Sequence, residues 1–350
     1  MSGNPVKWYM RPNSYDDVVV SSNVRLARNL ADFDYRDKIS NDDAATLVER
    51  VRALTQELAG RECTEYYSCN VNKLPEAEKA SLVELHAITP ELAEKKQPTG
   101  LIISEDESVS IMINEEDHIR ISVNVAGNDI RSAYKTADRI DDYIDGELQY
   151  AFSDRYGYLT TCMSDVGTGL KTGYVLSLPA LTMSGKLGAI RDELGKFGAV
   201  MRDIYSDNGK NPAFMYEVYN RKTLGMSEQD IIENLEQIVN QIVTLERKRR
   251  GAWAQNEHDE LEDKIFRSYG VLRHTKLITC KDALMLLAQL KLGLDTGLIN
   301  LNGTGADLSR LMIEIQPAAL CKFFRCGNDE RELNKARAGL LNERIPSLIR

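Results

Sequence analysis

The sequence predicts an α+β fold, with a largely antiparallel sheet flanked by helices and then a smaller all-helical region. Three observations lead there. Ile119, Ile121, Val123 and Val125 alternate with Arg120, Ser122 and Asn124, a period of two that puts the aliphatics on one face of a strand and Arg120 on the other. Strand-like runs at 100–104 and 108–113 come before it. The short acidic turn Asn114-Glu115-Glu116-Asp117 lies between the second run and the third, and strands joined so tightly must pair as an antiparallel hairpin. From Ser227 the periodicity turns helical, and from about Glu257 helical patterns are all that remain.

The other elements follow in order. Ser40, with Asp43 three residues on, opens a helix that carries Leu47, Val51, Leu54 and Leu58 and closes at Gly60. Further strands are expected at 172–178, 199–203 and 214–219. The helix after Ser227 places Ile231, Leu235, Ile238, Ile242 and Leu245 on one face, with Arg247 to Arg250 complementing its carboxyl end. Without strict βαβ alternation, a doubly wound sheet is disfavoured. The division expected is a catalytic α+β domain over 1–250 and a helical domain over 251–350. Leu284, Leu287, Leu290 and Leu294 recur at helical spacing there, suiting either a homodimer interface or core.

Composition excludes several classes. The chain has 350 residues, 43% hydrophobic and 28% charged, with a net charge of -9, which argues against a general nucleic-acid binder. No apolar run approaches a membrane span, and MSGNPVKWYM has no signal-peptide core. The six cysteines (Cys63, Cys69, Cys162, Cys280, Cys321 and Cys326) are too sparse for a disulfide scaffold and lack zinc-finger spacing, so a reducing cytoplasm is expected.

Two segments could carry chemistry. Gly167-Thr168-Gly169-Leu170-Lys171-Thr172-Gly173 looks like a phosphate loop, but Leu170 stands where a P-loop has glycine, and the dinucleotide spacing fails as well. By itself it is a glycine-rich turn, structural or functional. Glu115, Glu116 and Asp117 are either a solvated hairpin tip or a site that grips a cation, with Arg120 just beyond.

Asn114-Glu115-Glu116-Asp117-His118-Ile119-Arg120-Ile121 resembles the NEEDHxR segment of the guanidino phosphotransferases, the family of creatine and arginine kinases. Cys162-Met163-Ser164-Asp165-Val166-Gly167-Thr168-Gly169 resembles that family's active-site cysteine signature, and Ser21-Ser22-Asn23-Val24-Arg25-Leu26-Ala27-Arg28 its SSRxRxxR nucleotide segment. The stretch around His86 and Arg202 with its following loop fall in the family's order. Phe266-Arg267-Ser268-Tyr269-Gly270 and Gln316-Pro317 look like the protein arginine kinase branch. In the kinases of free guanidino compounds a helical domain precedes the first arginine segment. Here that segment starts at Ser21, an open arrangement suited to an arginine on a protein.

The resemblance implies ATP with Mg²⁺, and phosphoryl transfer to a guanidinium on a protein substrate. It assigns Ser22, Asn23, Arg25, His86, Arg120, Lys171 and Arg202 to the nucleotide, with His86 beside the adenine. Glu116 is the base implied, Asp207 the second catalytic carboxylate, and Glu115, Glu116 and Cys162 the groups around the acceptor. The alternative for Cys162 is an inert buried thiol. The resemblance further implies a homodimer, an activator protein, a protease-associated unfoldase as partner, and a place in stress response and protein quality control.

Several positions depart from the family pattern. Asn23 and Lys171 stand where phosphate-binding arginines are usual, Met163 and Asp165 replace proline and asparagine, and Asp207 replaces glutamate. The RDxxRA motif that binds phosphoarginine reads Leu333-Asn334-Lys335-Ala336-Arg337-Ala338, leaving Arg337 as a binding residue or an ordinary exposed arginine. These losses predict a slow kinase. Two alternatives stay open: a pseudokinase that binds nucleotide or phosphoarginine without turnover, and a kinase of a free guanidino compound.

Overall fold

The computed structural model describes residues 6–11, 17–36, 38–205, 211–300, 302, 305–324 and 329–349. It has the expected α+β character. An eight-stranded sheet is built from β1 (Val19–Arg28), β2 (Tyr66–Asn70), β3 (Gly100–Ser104), β4 (Val109–Ile113), β5 (Ile119–Ala126), β8 (Leu170–Ser177), β9 (Ala199–Asp203) and β10 (Met215–Asn220). Its order is β2-β3-β4-β5-β1-β8-β10-β9, and β6 (Phe152–Ser153) and β7 (Gly157–Tyr158) form a separate small hairpin. Pairing is antiparallel from β2 through β1.

Contacts divide the chain into two compact units. The first comprises Met1–Trp8, Ser21–Gly173 and Tyr219–Glu236; the second comprises Tyr9–Val20, Tyr174–Val218 and Gln237–Arg350.

In the first unit, α1 (Asn41–Arg52) starts where expected, Ser40 Oγ accepting the Asp43 N–H at 3.1 Å. The chain turns at Ala53–Leu54 before α2 (Thr55–Glu62), so the single helix expected is two, and Gly60 lies inside the second. The edge of the sheet is sealed by α3 (Glu76–Glu84) and α4 (Pro90–Glu94), where Val71, Ile88 and Leu92 pack on Leu101 and Met112. α5 (Ile130–Glu147) buries Ile130, Ala133, Ala137, Ile140 and Ile144, the three-four spacing of an amphipathic stripe.

The second unit contains most of α8 (Glu228–Asn256), together with α6 (Pro179–Met183), α7 (Leu187–Leu194), α9 (His258–His274), α10 (Cys280–Asp295), α11 (Gly305–Glu314), α12 (Pro317–Phe324) and α13 (Glu330–Leu348). α8 runs beyond Arg250, so Arg247 and Arg250 do not cap its end: Arg247 pairs with Asp17, and buried Arg250 bonds Glu246 at 2.7 Å and Asp295 at 3.0 Å. Leu284, Leu287 and Leu290 lie in this unit's core, and Leu294 packs against it. Core is therefore the role the structure gives that leucine stripe. Among the described residues no helix is long and apolar enough to cross a membrane.

Candidate active site

The register of β1 on β5 sets Asn23 opposite Asn124, Arg25 opposite Ser122 and Ala27 opposite Arg120. Opposed residues of an antiparallel pair project from the same face. Asn23, Arg25 and Arg120 therefore share one side of the sheet. Ser22 projects from the other side, fully buried, its Oγ donating to the Gly127 carbonyl at 2.7 Å and accepting the Asp129 N–H at 3.2 Å.

The acidic hairpin tip is not solvated. Asn114, Glu115, Asp117 and His118 are all buried. Asn114 adopts φ 59° to close the turn, and Lys95 Nζ donates to the Asn114 and Glu115 carbonyls at 2.8 and 2.9 Å. Asp117 Oδ1 accepts from Asn29 Nδ2 at 2.8 Å and from the Thr161 N–H at 2.7 Å. Thr161 Oγ1 in turn donates to the Glu116 carbonyl at 2.9 Å. Thr161 adjoins Cys162, so these bonds fasten the Glu116 turn to the cysteine loop one residue from the thiol.

His118 anchors the other side of the turn. Its Nδ1 accepts the Leu30 N–H at 3.0 Å and its Nε2 lies 3.0 Å from the Asp34 carbonyl, which selects the neutral ring protonated at Nε2. Burial pushes its pKa below the usual histidine range, against the opposing pull of the Asp34 carbonyl and Asp117. Below about pH 6.5, where an unfolded histidine charges, the unfolded chain binds a proton that the folded chain resists. The stabilisation is thus complete above that pH and declines as pH falls toward the depressed folded value. The other histidines, His86, His258 and His274, are exposed. Urea midpoints should fall from pH 7.5 to 5.5, and His118→Asn should flatten that slope while lowering stability at pH 7.5. An equal slope in both proteins would refute the assignment.

The three acidic positions have distinct surroundings. Arg120 donates through Nη1 to Glu115 Oε2 at 2.5 Å and through Nη2 to Glu116 Oε2 at 2.8 Å. Glu115 also accepts from Thr89 Oγ1 at 2.7 Å and from the Glu116 N–H, and its side chain is 3% exposed. Glu116 is 30% exposed, with Arg36 Nη1 at 3.5 Å from Oε1. Of the two carboxylates on Arg120, Glu116 is therefore the one an incoming guanidinium can reach. Arg120 Nε is buried with no hydrogen-bond partner among the described residues.

The cysteine loop carries a second chain of contacts. Cys162 is half-buried with Sγ 3.1 Å from Ser164 Oγ. Ser164 Oγ donates to Asp165 Oδ1 at 2.6 Å, which leaves the serine oxygen to accept from the thiol. Asp165 Oδ1 lies 3.1 Å from Lys171 Nζ, and Oδ2 3.9 Å from Arg25 Nη2. Lys171 Nζ also donates to the Arg221 carbonyl at 3.1 Å.

The glycine turn is shaped by packing. Gly167 and Gly169 have φ of 115° and 65°, and a Cβ on Gly169 would lie 2.5 Å from Arg28 Nη1 and 2.6 Å from the Ala27 oxygen. Arg28 itself is 1% exposed. Its Nε and Nη2 bond Asp141 Oδ2 at 3.0 and 2.6 Å, its Nη1 donates to the Ala27 and Thr168 carbonyls at 2.9 Å each, and its guanidinium stacks 3.6 Å from the Tyr158 ring centre. Tyr150 OH donates to Asp141 Oδ1 at 3.0 Å. This clasp ties β1 to the glycine turn, a structural role for the last arginine of the β1 motif.

The remaining sequence-derived residues stand elsewhere. His86 is exposed just past α3, with φ 56°. Arg202 lies on β9 in the second unit, 66% exposed, its Nε bonded to Glu217 at 2.5 Å. Asp207 lies outside the described residues. Arg337 on α13 is buried and donates to the Ile315 and Ile278 carbonyls at 2.9 and 3.1 Å and to Asn334 Oδ1 at 2.6 Å. An exposed helical arginine is not what the structure shows. Thr89, Lys95, Arg36 and Thr161 received no role from the sequence, and their proximity to the acidic tip is purely tertiary. Asp117 was read only as part of the acidic run, and its bonds to Asn29 and Thr161 are tertiary as well.

An antiparallel sheet that gathers arginines on one face, beside a buried acidic hairpin bonded to a cysteine loop, defines a guanidino-directed phosphotransferase. Comparison with known proteins agrees. Residues 46–249 match the family model described as the C-terminal catalytic domain of ATP:guanido phosphotransferase, and residues 258–349 match the protein-arginine kinase McsB C-terminal domain. A protein-arginine kinase of Shouchella clausii is 35% identical over 338 residues, covering 97% of this chain and 94% of that protein. One of Geobacillus stearothermophilus is 37% identical over 339 residues, with 97% and 93% covered. Among solved structures, the duplicated taurocyamine kinase of Schistosoma mansoni with bound transition-state-analogue components has a TM-score of 0.60 at 23% identity, covering 66% of this chain and 33% of that one. Lombricine kinase has a TM-score of 0.57 at 19% identity, with 70% and 72% covered. The chain belongs to the ATP:guanido phosphotransferase family, on its protein-arginine kinase branch, and is an enzyme of that class.

Proposed function

We propose that this enzyme transfers the γ-phosphoryl group of Mg-ATP to the guanidinium of arginine residues in proteins. One observation carries the reading: the half-exposed Glu116 carboxylate sits on a turn bonded through Thr161 to the loop that holds Cys162. A guanidinium stays protonated up to a pH of about 12, so its nitrogen attacks only as a proton leaves. Glu116 accepts that proton while the nitrogen forms its bond to the γ-phosphorus and the bond to the ADP oxygen breaks. Arg25, Lys171 and Arg120 neutralise the phosphates, with Arg202, Asn23 and His86 completing the nucleotide assignment by family resemblance. Glu115 acts through Arg120, which it holds in place. Cys162 orients the acceptor without covalent chemistry. Asp207 remains the second carboxylate of the proposal. Among the described residues Glu115, Glu116 and Asp165 are bonded to the site's own cations, and in this proposal the Mg²⁺ enters with ATP as part of the substrate.

The division into a catalytic domain over 1–250 and a helical domain over 251–350 is part of the proposal, supported by family matches that end at 249 and resume at 258. So are a cytoplasmic location, a homodimer, an activator protein, an unfoldase partner and a role in stress response and quality control. A dimer would need surface other than the α10 leucines. Arg337 is proposed for phosphoarginine only if its carbonyl contacts are exchanged.

A second reading, a nucleotide-binding pseudokinase, is favoured by the carboxylate on each of Arg25, Lys171 and Arg120. Incubation with Mg-ATP and an arginine-rich protein, followed by mass spectrometry that avoids acid, separates the two. Phosphoarginine that is absent with Glu116→Gln supports the kinase. Nucleotide binding without product selects the pseudokinase, and product on free arginine alone would contradict the protein-directed reading.

A further inference from the structure

We infer that Asp165 is a built-in counter-anion. It occupies, with its own carboxylate, the position between Arg25 and Lys171 that a nucleotide phosphate must take, and so sets the affinity of the site for ATP. The inference rests on the nucleotide assignment above and deepens it.

The geometry is that of a bound oxyanion. One carboxylate presents Oδ1 to Lys171 Nζ at 3.1 Å and Oδ2 to Arg25 Nη2 at 3.9 Å. Its side chain is 3% exposed, so it is no solvated surface acid that swings freely. Two further bonds fix it: the Asp165 N–H donates to the Cys162 carbonyl at 3.0 Å, and Ser164 Oγ donates to Oδ1 at 2.6 Å. The carboxylate is not needed to satisfy the lysine, since Lys171 Nζ also donates to the Arg221 and Asn220 carbonyls at 3.1 and 3.4 Å. What Asp165 changes is charge. Arg25, Lys171 and Asp165 together carry one net positive charge where an asparagine would leave two.

A phosphate oxygen approaching either cation meets a carboxylate already there, in surroundings where little water screens the repulsion. Binding then requires Lys171 and Arg25 to exchange one anion for another. The free energy of the first contact is subtracted from the second. The same residue is bonded through Ser164 to the Cys162 thiol, so the exchange takes place beside the acceptor loop.

Asp165→Asn tests this directly. The amide is nearly isosteric, keeps an oxygen for Ser164, and leaves Lys171 its two carbonyl acceptors, so the variant is expected to fold; circular dichroism and a thermal midpoint check it. Binding of Mg-ATP and, separately, of tripolyphosphate is measured by calorimetry for the wild type, Asp165→Asn and Asp165→Asn/Lys171→Gln. The expected result is a tightening of about tenfold or more for both ligands in Asp165→Asn, the scale of one charge-assisted contact. The gain should be lost in the double variant. If tripolyphosphate binding tightens while Mg-ATP binds to neither protein, the counter-anion stands and the ATP assignment fails. Unchanged or weaker tripolyphosphate binding by folded Asp165→Asn overturns the inference, as does a gain that survives loss of Lys171.

Discussion

Glu116→Gln is expected to lower phosphoarginine formation by about 10²–10⁴-fold at saturating Mg-ATP, the usual contribution of a positioned base. An amide oxygen can still accept from Arg120 Nη2, as Glu116 Oε2 does at 2.8 Å, so the guanidinium of Arg120 keeps an acceptor. The amide cannot remove a proton from an acceptor whose pKa exceeds about 12. Because Glu116 is 30% exposed, its substitution should leave the thermal midpoint nearly unchanged, unlike Glu115→Gln, whose side chain is 3% exposed and bonded on both oxygens. Single-turnover rates for wild type, Glu116→Gln and Glu116→Asp decide the matter. Partial activity of the aspartate variant is expected, since it retains a base. A Glu116→Gln enzyme within about threefold of wild type would remove Glu116 from the chemistry.

Arg28→Met is expected to cost about 3–5 kcal/mol of stability, the range for breaking a buried ion pair and stranding one partner. The stranded group is Asp141, a 6% exposed residue left with the Tyr150 hydroxyl. The Ala27 and Thr168 carbonyls lose a donor as well, and the Tyr158 ring its stacked cation. Chemical denaturation should show the loss as a lowered midpoint. The double variant Arg28→Met/Asp141→Leu should regain much of it, because no unpaired charge remains buried. A single-variant loss below about 1 kcal/mol would show that the clasp is dispensable. Loss of the Arg28 contact with Thr168 should also loosen the glycine turn that follows the cysteine loop, lowering activity beyond what stability explains.

These expectations draw unequally on sequence and tertiary structure. The strand at 119–125 was legible because its aliphatics alternate with polar residues, the run at 100–104 because it is short and apolar, and the hairpin because so short a turn cannot connect parallel strands. Where local pattern was the only guide, boundaries shifted. The leucines from Leu47 to Leu58 read as one helix, but the chain turns at Ala53–Leu54. Arg247 and Arg250 read as a helix end, but α8 runs on to Asn256, with Arg247 paired to Asp17 and Arg250 to Asp295 and, one turn back, to Glu246. The α10 leucines suited an interface or a core equally well, since amphipathic spacing does not say what covers it.

The sequence by itself determined the fold class, the family and the residue types that phosphoryl transfer to a guanidinium requires. Periodicity is a local property, and spaced motifs keep their order along the chain whatever the packing. Only the tertiary structure decided which charges meet: that Glu115 is buried on Arg120 while Glu116 stays accessible, that Arg28 clasps Asp141, and that Asp165 stands between Arg25 and Lys171. Distance and desolvation set the strength of an ion pair, and both come from residues that the fold draws together across the length of the chain.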